Sequence, residues 1–183
     1  GALAKEVGAY IFASNRNMIE RSIDCLPLSG VKQLLEIGFG NGAHLPYLFA
    51  KAPHLHYTGI ERSEAMIADA TALNTALVEQ GKAVFLHALT EELPPLPYES
   101  FGVCFCVNTY YFITNLRAYF AQVYSLLRQG GSFVLGAIGK EFGERMPFTK
   151  EVFTFYTPEQ LQELLLSVGF TAFDLQTFTE EIP

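Results

Sequence analysis

The sequence predicts a doubly wound α/β fold, in which helices cover both faces of a mostly parallel sheet. Short apolar runs of strand length alternate with segments of helical periodicity along the chain. These runs are hydrophobic on both faces, which is typical of parallel strands buried between two helical layers. A glycine-rich segment, GFGNG at 38–42, follows the first run, at the point where such folds turn from strand to helix.

The composition is that of one folded domain. The chain has 183 residues, of which 50% are hydrophobic and 17% charged. We predict a single domain over 1–183, with 1–30 as an N-terminal helical cap. The net charge is −7 and no cluster of Lys or Arg is visible, so no nucleic-acid partner is predicted. No apolar stretch has the length of a membrane span, so no membrane partner is predicted.

Three strands and two helices are predicted in the first half of the chain. The strands are the apolar runs 33–37, 56–60 and 83–87. A short helix over 43–50 carries Pro46 in its first turn, where proline is tolerated. Ser63 begins a second helix, whose apolar stripe extends to a glycine end at Gly81.

The second half is predicted to contain two helices and three more strands. The strands are 101–107, 132–138 and 171–178. One helix extends from Leu116 to a glycine end at Gly130. The other begins at Thr157 with a capping-box pattern that Gln160 completes, and it ends at Gly169.

Two cysteines, Cys104 and Cys106, lie two residues apart on one face of the predicted strand 101–107. This pattern predicts buried free thiols, which are typical of a reducing compartment, and therefore a cytoplasmic protein. The four histidines show no metal-ligand spacing, so no metal site is predicted. His44 is predicted to be a surface residue in the first helical turn after the glycines.

The glycine-rich segment and two acidic residues predict a site for a nucleoside ligand. Gly38 and Gly40 let a ligand lie against the backbone, and Glu36 precedes them in the same strand. Glu61 follows the second strand, beside the first, where a carboxylate can accept both hydroxyls of a ribose. Two ligands fit these residues. One is a dinucleotide, since Ala43 completes the relaxed G-x-G-x-x-G/A pattern, and the other is S-adenosylmethionine.

Five segments of the chain carry a family resemblance: VKQLLEIGFGNG, YTGIERSEAMI, EELPPLPYESFGVCFCVNTYY, LLRQGGSFVL and YTPEQLQELLLSVGF. In this order and spacing they resemble class I S-adenosylmethionine-dependent methyltransferases of the small-molecule type. The resemblance implies a Rossmann-like, seven-stranded sheet with an antiparallel last strand, which is expected to be incomplete because the chain ends at Pro183. It also implies methyl transfer from S-adenosylmethionine to a small-molecule acceptor, with S-adenosylhomocysteine as the product.

The resemblance also implies roles for individual residues. Glu61 holds the ribose hydroxyls, while Arg62 and Met66 flank the adenine. Asn108 lies under the methionine part of the cofactor. Leu89 stands where the family usually has an aspartate that holds the adenine amino group. The full implied cofactor-binding set is Glu36, Gly38, Phe39, Gly40, Glu61, Arg62, Met66, Leu89, Thr90 and Asn108.

No catalytic residue is assigned by the motifs. Tyr110 and Tyr111 follow the fourth strand, where a substrate enters in this fold, and together with His44 they are candidates for assisting deprotonation of the acceptor. Methyl transfer requires mainly the alignment of nucleophile and methyl group, so a fixed general base is not required. The segment IFASNRN and its flank supply candidate lid contacts: Tyr10, Asn15 and Asn17.

Two alternatives stay open. The first is a degenerate methyltransferase fold that serves as a cofactor-binding or interaction module without catalysis. Leu89 favours this alternative, whereas the intact Glu36, Gly38 and Glu61 oppose it. The second is a nicotinamide oxidoreductase, which needs a substrate domain for which 183 residues leave little room.

Overall fold

The structure is a computed structural model that describes residues 15–89, 92–146 and 153–179. Its strands are β1 (Gln33–Ile37), β2 (His56–Glu61), β3 (Ala83–His87), β4 (Phe101–Val107) and β5 (Leu127–Gly136). Its α-helices are α1 (15–24), α2 (Leu45–Lys51), α3 (Glu64–Leu73), α4 (Thr75–Glu79), α5 (Leu116–Leu126), α6 (Lys140–Gly143) and α7 (Pro158–Val168). A 3-10 helix (Tyr110–Phe112) follows β4. Within these residues, no helix has the length and apolar character needed to span a bilayer.

The five described strands form one sheet in the order β3-β2-β1-β4-β5. β1 lies at the centre and pairs in parallel with β2 on one side and with β4 on the other. The strand order therefore reverses between β1 and β4, which creates a crevice beyond their carboxyl ends. Helices pack on both faces of the sheet, so the predicted doubly wound, Rossmann-like fold class is confirmed.

Two hydrophobic clusters hold the sheet between its helices. On one face, α5 and the segment after β4 pack against Leu35, Ile37 and Cys104. On the other face, α1 and α2 pack against Leu34 and Phe105, which are both fully buried. Alternate residues of β1 thus enter opposite clusters. This arrangement explains why the predicted strands are apolar on both sides.

The predicted helix boundaries are correct where the sequence carries a cap. The Gln160 amide donates to Thr157 Oγ1 at 3.3 Å, and the Thr157 amide donates to Gln160 Oε1 at 2.9 Å, as a capping box requires. Gly169 ends α7 in the left-handed region, with a φ of 119°. Ser63 accepts from the Met66 amide at 3.4 Å and begins α3.

The helix predicted from Ser63 to Gly81 is interrupted at Asn74. The Asn74 side chain is buried and donates to the carbonyls of Gly42, at 3.0 Å, and Ala70, at 2.9 Å. An asparagine amide competes with helical backbone hydrogen bonding, so α3 ends before Asn74 and α4 begins after it. The Asn74 side chain at this break bonds the end of α3 to the glycine-rich segment through the Gly42 carbonyl.

Gly130, which is predicted to end the helix from Leu116, lies inside β5 together with Gly131. This strand begins at Leu127, directly after α5, and its pairing with β4 shifts near its start. The shift leaves extra residues in β5 between Leu127 and Ser132, the partners of Phe101 and Val103. One of these extra residues, Gly130, has a φ of 70°, in the left-handed region that favours glycine. The strand predicted over 132–138 therefore starts earlier than expected and ends at Gly136.

The last predicted strand, over 171–178, is wrong, because the described part of the chain has no strand after β5. The residues of this segment are exposed, and the segment contacts the end of α1 instead of pairing with the sheet. The Cys25 thiol donates to Gln176 Oε1 at 3.3 Å, and Arg21 lies 4.8 Å from the centroid of the Phe178 ring. Alternation predicts an extended segment, but it does not determine whether a strand edge lies within reach.

Candidate functional site

Three loops meet at the carboxyl edge of the sheet, where the strand order reverses. Gly38 directly follows β1, Glu61 is the last residue of β2, and Asn108 directly follows β4. Open α/β sheets bind ligands in this crevice. The topology therefore brings together three of the residues that the sequence predicts for cofactor binding.

The glycine-rich segment adopts a backbone conformation that side chains disfavour. Gly38, Gly40 and Gly42 have φ values of 79°, 63° and 64°, all in the left-handed region. A Cβ on Gly38 would overlap Thr109 Cγ2, so the close approach of the segment after β4 requires glycine there. Gly40 differs, because no non-neighbouring atom of the described chain lies within 4 Å of its Cβ position. The open space of the loop is therefore at Gly40.

Glu61 borders this open space and is held by two backbone amides. Its Oε2 accepts from the Gly40 amide at 3.0 Å, and its Oε1 accepts from the Ser63 amide at 2.9 Å. The residue is 8% exposed. A carboxylate has about four acceptor positions, so both oxygens keep capacity for a further donor. A pair of neighbouring hydroxyls, such as a ribose diol, fits this set of acceptors.

A second carboxylate, Glu36, lies below the glycine-rich segment in a buried polar group with His44 and Tyr57. The Tyr57 hydroxyl donates to Glu36 Oε2 at 2.6 Å, and His44 Nε2 lies 2.7 Å from the same oxygen. All three residues are at most 2% exposed. The Glu36 carboxylate is thus enclosed under α2. From this position the group supports the glycine-rich segment, and the predicted part of Glu36 in cofactor binding stays a prediction.

The predicted surface position of His44 is wrong. His44 is the N-cap residue of α2, but its side chain does not cap the helix, since the ring is turned toward Glu36. The other ring nitrogen, Nδ1, is buried and has no hydrogen-bond partner among the described residues. The sequence shows only that a histidine follows the glycines. The packing of α2 on β1, which brings the ring to Glu36, is a tertiary feature.

Asn108 links three elements at the end of β4. Its backbone lies in the left-handed region, with a φ of 55°. Its Nδ2 donates to Asn15 Oδ1 at 3.0 Å, and its Oδ1 accepts from the Tyr111 hydroxyl at 2.9 Å. Each polar atom of the side chain is thus already bonded within the protein.

A comparison with protein families decides what kind of protein this is. A family model described as a methyltransferase domain matches residues 35–135, which extend from β1 into β5. The chain belongs to the methyltransferase domain family. The predicted class I S-adenosylmethionine-dependent methyltransferase family is therefore confirmed, and S-adenosylmethionine is the cofactor of that class.

Similar proteins share this fold at low sequence identity. The uncharacterized methyltransferase YdaC of Bacillus subtilis (strain 168) is 29% identical over 126 residues, which cover 68% of this chain and 67% of YdaC. A complex that contains the Haloferax volcanii Trm112 methyltransferase activator matches with a TM-score of 0.78 and 16% identity, over 92% of this chain and 74% of the matched chain. An S-adenosylmethionine-dependent methyltransferase from Mesorhizobium loti matches with a TM-score of 0.69 and 18% identity, over 81% and 78% of the two chains.

The other predicted cofactor residues of the methyltransferase lie along the glycine loop and beyond β2 and β3. Phe39 is buried, and its ring centroid lies 4.9 Å from that of Phe85, so its side chain belongs to the core and not to the crevice. Arg62 is exposed and Met66 is partly buried. Leu89 is 58% exposed and presents an apolar surface to the solvent. Two predicted residues lie outside the described part of the chain: Tyr10 and Thr90.

Tyr110 and Tyr111, two of the predicted catalytic candidates, are core residues of the methyltransferase. They are 1% and 2% exposed, and Tyr111 packs against Phe153 and Phe155 in an aromatic cluster. Burial raises the pKa of both phenols above its ordinary value, so both stay protonated at neutral pH. Their predicted position at the substrate entrance is therefore wrong, and neither phenol is suited to accept a proton.

The two strand cysteines are buried free thiols, as predicted. Cys104 and Cys106 are fully buried in β4. Burial raises the pKa of the Cys106 thiol to about 11. A thiol that stays protonated at neutral pH is a poor nucleophile, so the pair serves the packing of the methyltransferase core.

Sequence reasoning missed three residues that support the crevice: Tyr57, Asn74 and Thr109. Tyr57 lies on the same face of β2 as Gly59, which pairs with Glu36, so the register alone would have placed it near that carboxylate. Thr109 and Asn74 carry no such signal. Each contacts a glycine of the loop from a part of the chain that is distant in sequence.

Proposed function

We propose that this methyltransferase transfers a methyl group from S-adenosylmethionine to a small-molecule acceptor. The observation that carries the proposal is the position of the Glu61 carboxylate. It is bonded to the amides of Gly40 and Ser63, keeps acceptor capacity and borders the open space at Gly40. A ribose diol at this place gives two donors to one carboxylate, and S-adenosylmethionine carries such a diol.

In this proposal, different residues of the crevice contact different parts of the cofactor. Gly40 admits the ribose and the methionine part to the backbone, and Gly38 allows the loop to pack against Thr109. Met66 and Leu89 offer apolar surface to the adenine, with Arg62 at its edge. When bound, S-adenosylmethionine supplies an electrophilic methyl group on its sulfonium sulfur, so the protein has mainly to align the acceptor with that group.

We infer that the acceptor brings its nucleophile in a reactive form. Among the described residues of the crevice, Tyr110 and Tyr111 are buried phenols, and the His44 ring is held by Glu36. None of the three is placed to remove a proton from an acceptor. The net charge of −7 and the absence of a basic cluster in the sequence favour a small molecule over a nucleic acid as the acceptor.

We also infer that the protein works in the cytoplasm. Its three cysteines, Cys25, Cys104 and Cys106, are all free thiols in the structure. Two of them lie in one strand, where a disulfide would distort the sheet. A reducing compartment keeps such thiols unpaired, which supports this location.

Replacing Gly40 by alanine is expected to weaken the binding of S-adenosylhomocysteine by at least about tenfold, because a Cβ would enter the space beside Glu61. The change also forces a side chain into the left-handed region, at a stability cost of about 1–2 kcal/mol. Gly81 is the matched control, since its φ is 66° and its Cβ position is equally open. Calorimetric titration measures the affinities, and thermal unfolding measures the stabilities.

The two variants are expected to lose similar stability, while only Gly40→Ala loses affinity. Equal affinities of the Gly40→Ala and Gly81→Ala proteins would exclude a ligand at Gly40, and with it the proposed function. A larger stability loss in Gly40→Ala than in Gly81→Ala would show that the space at Gly40 is filled by the protein itself.

A further inference from the structure

Asn108 holds a backbone conformation that few residues other than glycine adopt. Its φ is 55°, and among the described non-glycine residues only Glu99 shares the left-handed region. Such a conformation persists where the surrounding contacts over-determine it, which is common at functional sites. Asn108 lies at the crevice, directly after β4, on the opposite side of the switch point from Glu61.

Hydrogen bonds from three elements keep Asn108 in place, and we call Asn15, Asn108 and Tyr111 the Asn108 network. The Asn108 amide donates to the Gly136 carbonyl at 2.9 Å. Its Nδ2 donates to Asn15 at 3.0 Å, and its Oδ1 accepts from Tyr111 at 2.9 Å. The Tyr111 hydroxyl in turn accepts from the Ile138 amide. The network thus ties α1, the 3-10 helix and the end of β5 to one residue.

The next residue transmits this geometry to the glycine-rich segment. Thr109 is buried, and its methyl group occupies the space that a Cβ on Gly38 would need. A change in the backbone of Asn108 rotates the peptide that precedes Thr109. Such a change therefore displaces the Thr109 methyl group, against which Gly38 packs.

We propose that Asn108 is a positioning residue for cofactor binding, and that the Asn108 network is the device that fixes it. The network holds the left-handed turn, the turn seats Thr109 against Gly38, and the loop is thereby ordered before the ligand arrives. This inference rests on the proposed function, since S-adenosylmethionine is the ligand of that loop. It gives Asn15 on α1 a role beyond packing.

The test compares four single variants and the double variant Asn15→Ala/Asn108→Gly by titration with S-adenosylhomocysteine and by thermal unfolding. Asn108→Gly keeps easy access to the left-handed region and loses both side-chain hydrogen bonds, whereas Asn15→Ala loses only the bond to α1. Asn15→Asp keeps an oxygen that accepts from Asn108 Nδ2. Glu20→Ala is the control on the same helix, because Glu20 accepts from Arg16 at 2.7 Å and lies outside the network.

We expect Asn15→Ala and Asn108→Gly to weaken binding by about 3- to 10-fold, the range of a lost hydrogen bond. Their unfolding temperatures stay within about 5 °C of the wild type. The double variant binds no more weakly than Asn108→Gly, because both changes remove the same bond. Asn15→Asp and Glu20→Ala bind like the wild type, so a loss of affinity in Asn15→Ala follows from the missing acceptor oxygen.

Wild-type affinity in both Asn15→Ala and Asn108→Gly, or losses that add in the double variant, would overturn the proposal while the proposed function stands. Should Asn108→Gly fail to fold, the comparison of Asn15→Ala with Asn15→Asp decides alone. A wild-type protein that does not bind S-adenosylhomocysteine contradicts the proposed function, and the role of Asn108 falls with it.

Discussion

Replacing Glu36 by alanine is expected to lower the free energy of unfolding by about 3–5 kcal/mol. The residue is 2% exposed and contacts both His44 and Tyr57 through one oxygen. Its removal leaves a buried ring nitrogen and a buried hydroxyl without their partner, and unsatisfied buried polar groups are costly. Chemical denaturation of the wild type and the variant at neutral pH measures the difference.

Further variants separate the polar contacts of Glu36 from its volume. Glu36→Gln keeps the volume and one acceptor oxygen, so its loss of stability is smaller. Tyr57→Phe removes one donor to the carboxylate and is expected to cost about 1.5–3 kcal/mol. Glu79→Ala changes an exposed glutamate and should shift stability by less than about 0.5 kcal/mol. If Glu36→Ala is as stable as Glu79→Ala, the buried polar group does not stabilise the fold.

Replacing Glu61 by alanine is expected to weaken S-adenosylhomocysteine binding by about 1.5–3 kcal/mol, which is roughly 10- to 150-fold. The reason is the loss of a charged acceptor for the ribose hydroxyls. The carboxylate also accepts from the amides of Gly40 and Ser63, so the loop loses part of its order. Calorimetric titration measures the affinity, and thermal unfolding of the same samples measures the loss of order.

The matched control for Glu61 is Glu64, which is three positions further along the chain and has 85% of its side chain exposed. Glu64→Ala leaves the affinity unchanged. Glu61→Gln keeps one acceptor oxygen and loses less than Glu61→Ala. The same affinity in the wild type and in Glu61→Ala would show that no ligand hydroxyl reaches this carboxylate.

The strands, and the edge of the sheet at which the site lies, could be predicted because they depend on local sequence pattern. Runs such as 33–37 and 101–107 are apolar on both faces, and this feature alone predicts parallel strands under two helical layers. Glu61 could be placed beside Gly40 from the strand order of the fold, and the bond between them confirms that the two are adjacent. The capping box at Thr157 and the glycine end at Gly169 gave the boundaries of α7 for the same local reason.

The features that were missed depend on side chains that meet across elements. His44 is predicted at the surface, in the first helical turn after the glycines, yet its ring meets Glu36 through the packing of α2 on β1. Tyr110 and Tyr111 follow a strand end, where loops carry function. The 3-10 helix turns them into the core, and no local pattern in the sequence indicates that turn.

The strand prediction for 171–178 is wrong for a different reason. Its alternation of apolar and polar residues is that of a strand, but a strand also needs a neighbour with which to pair its backbone. In the structure the segment contacts Arg21 and Cys25, at the end of α1. Sequence pattern gives the conformation of such a segment and not its partner.

The binding of S-adenosylmethionine at Gly40 and Glu61 is tested most directly by thermal unfolding of the wild type with S-adenosylmethionine, S-adenosylhomocysteine and NAD in parallel. Each of the first two ligands, at a hundredfold excess over its dissociation constant, is expected to stabilise the protein by about 2.7 kcal/mol. NAD also carries ribose diols but has a pyrophosphate that the loop must accommodate, and it is expected to leave the unfolding temperature unchanged. Stabilisation by NAD alone, with none from S-adenosylmethionine or its product, would contradict the assignment and favour a nicotinamide oxidoreductase.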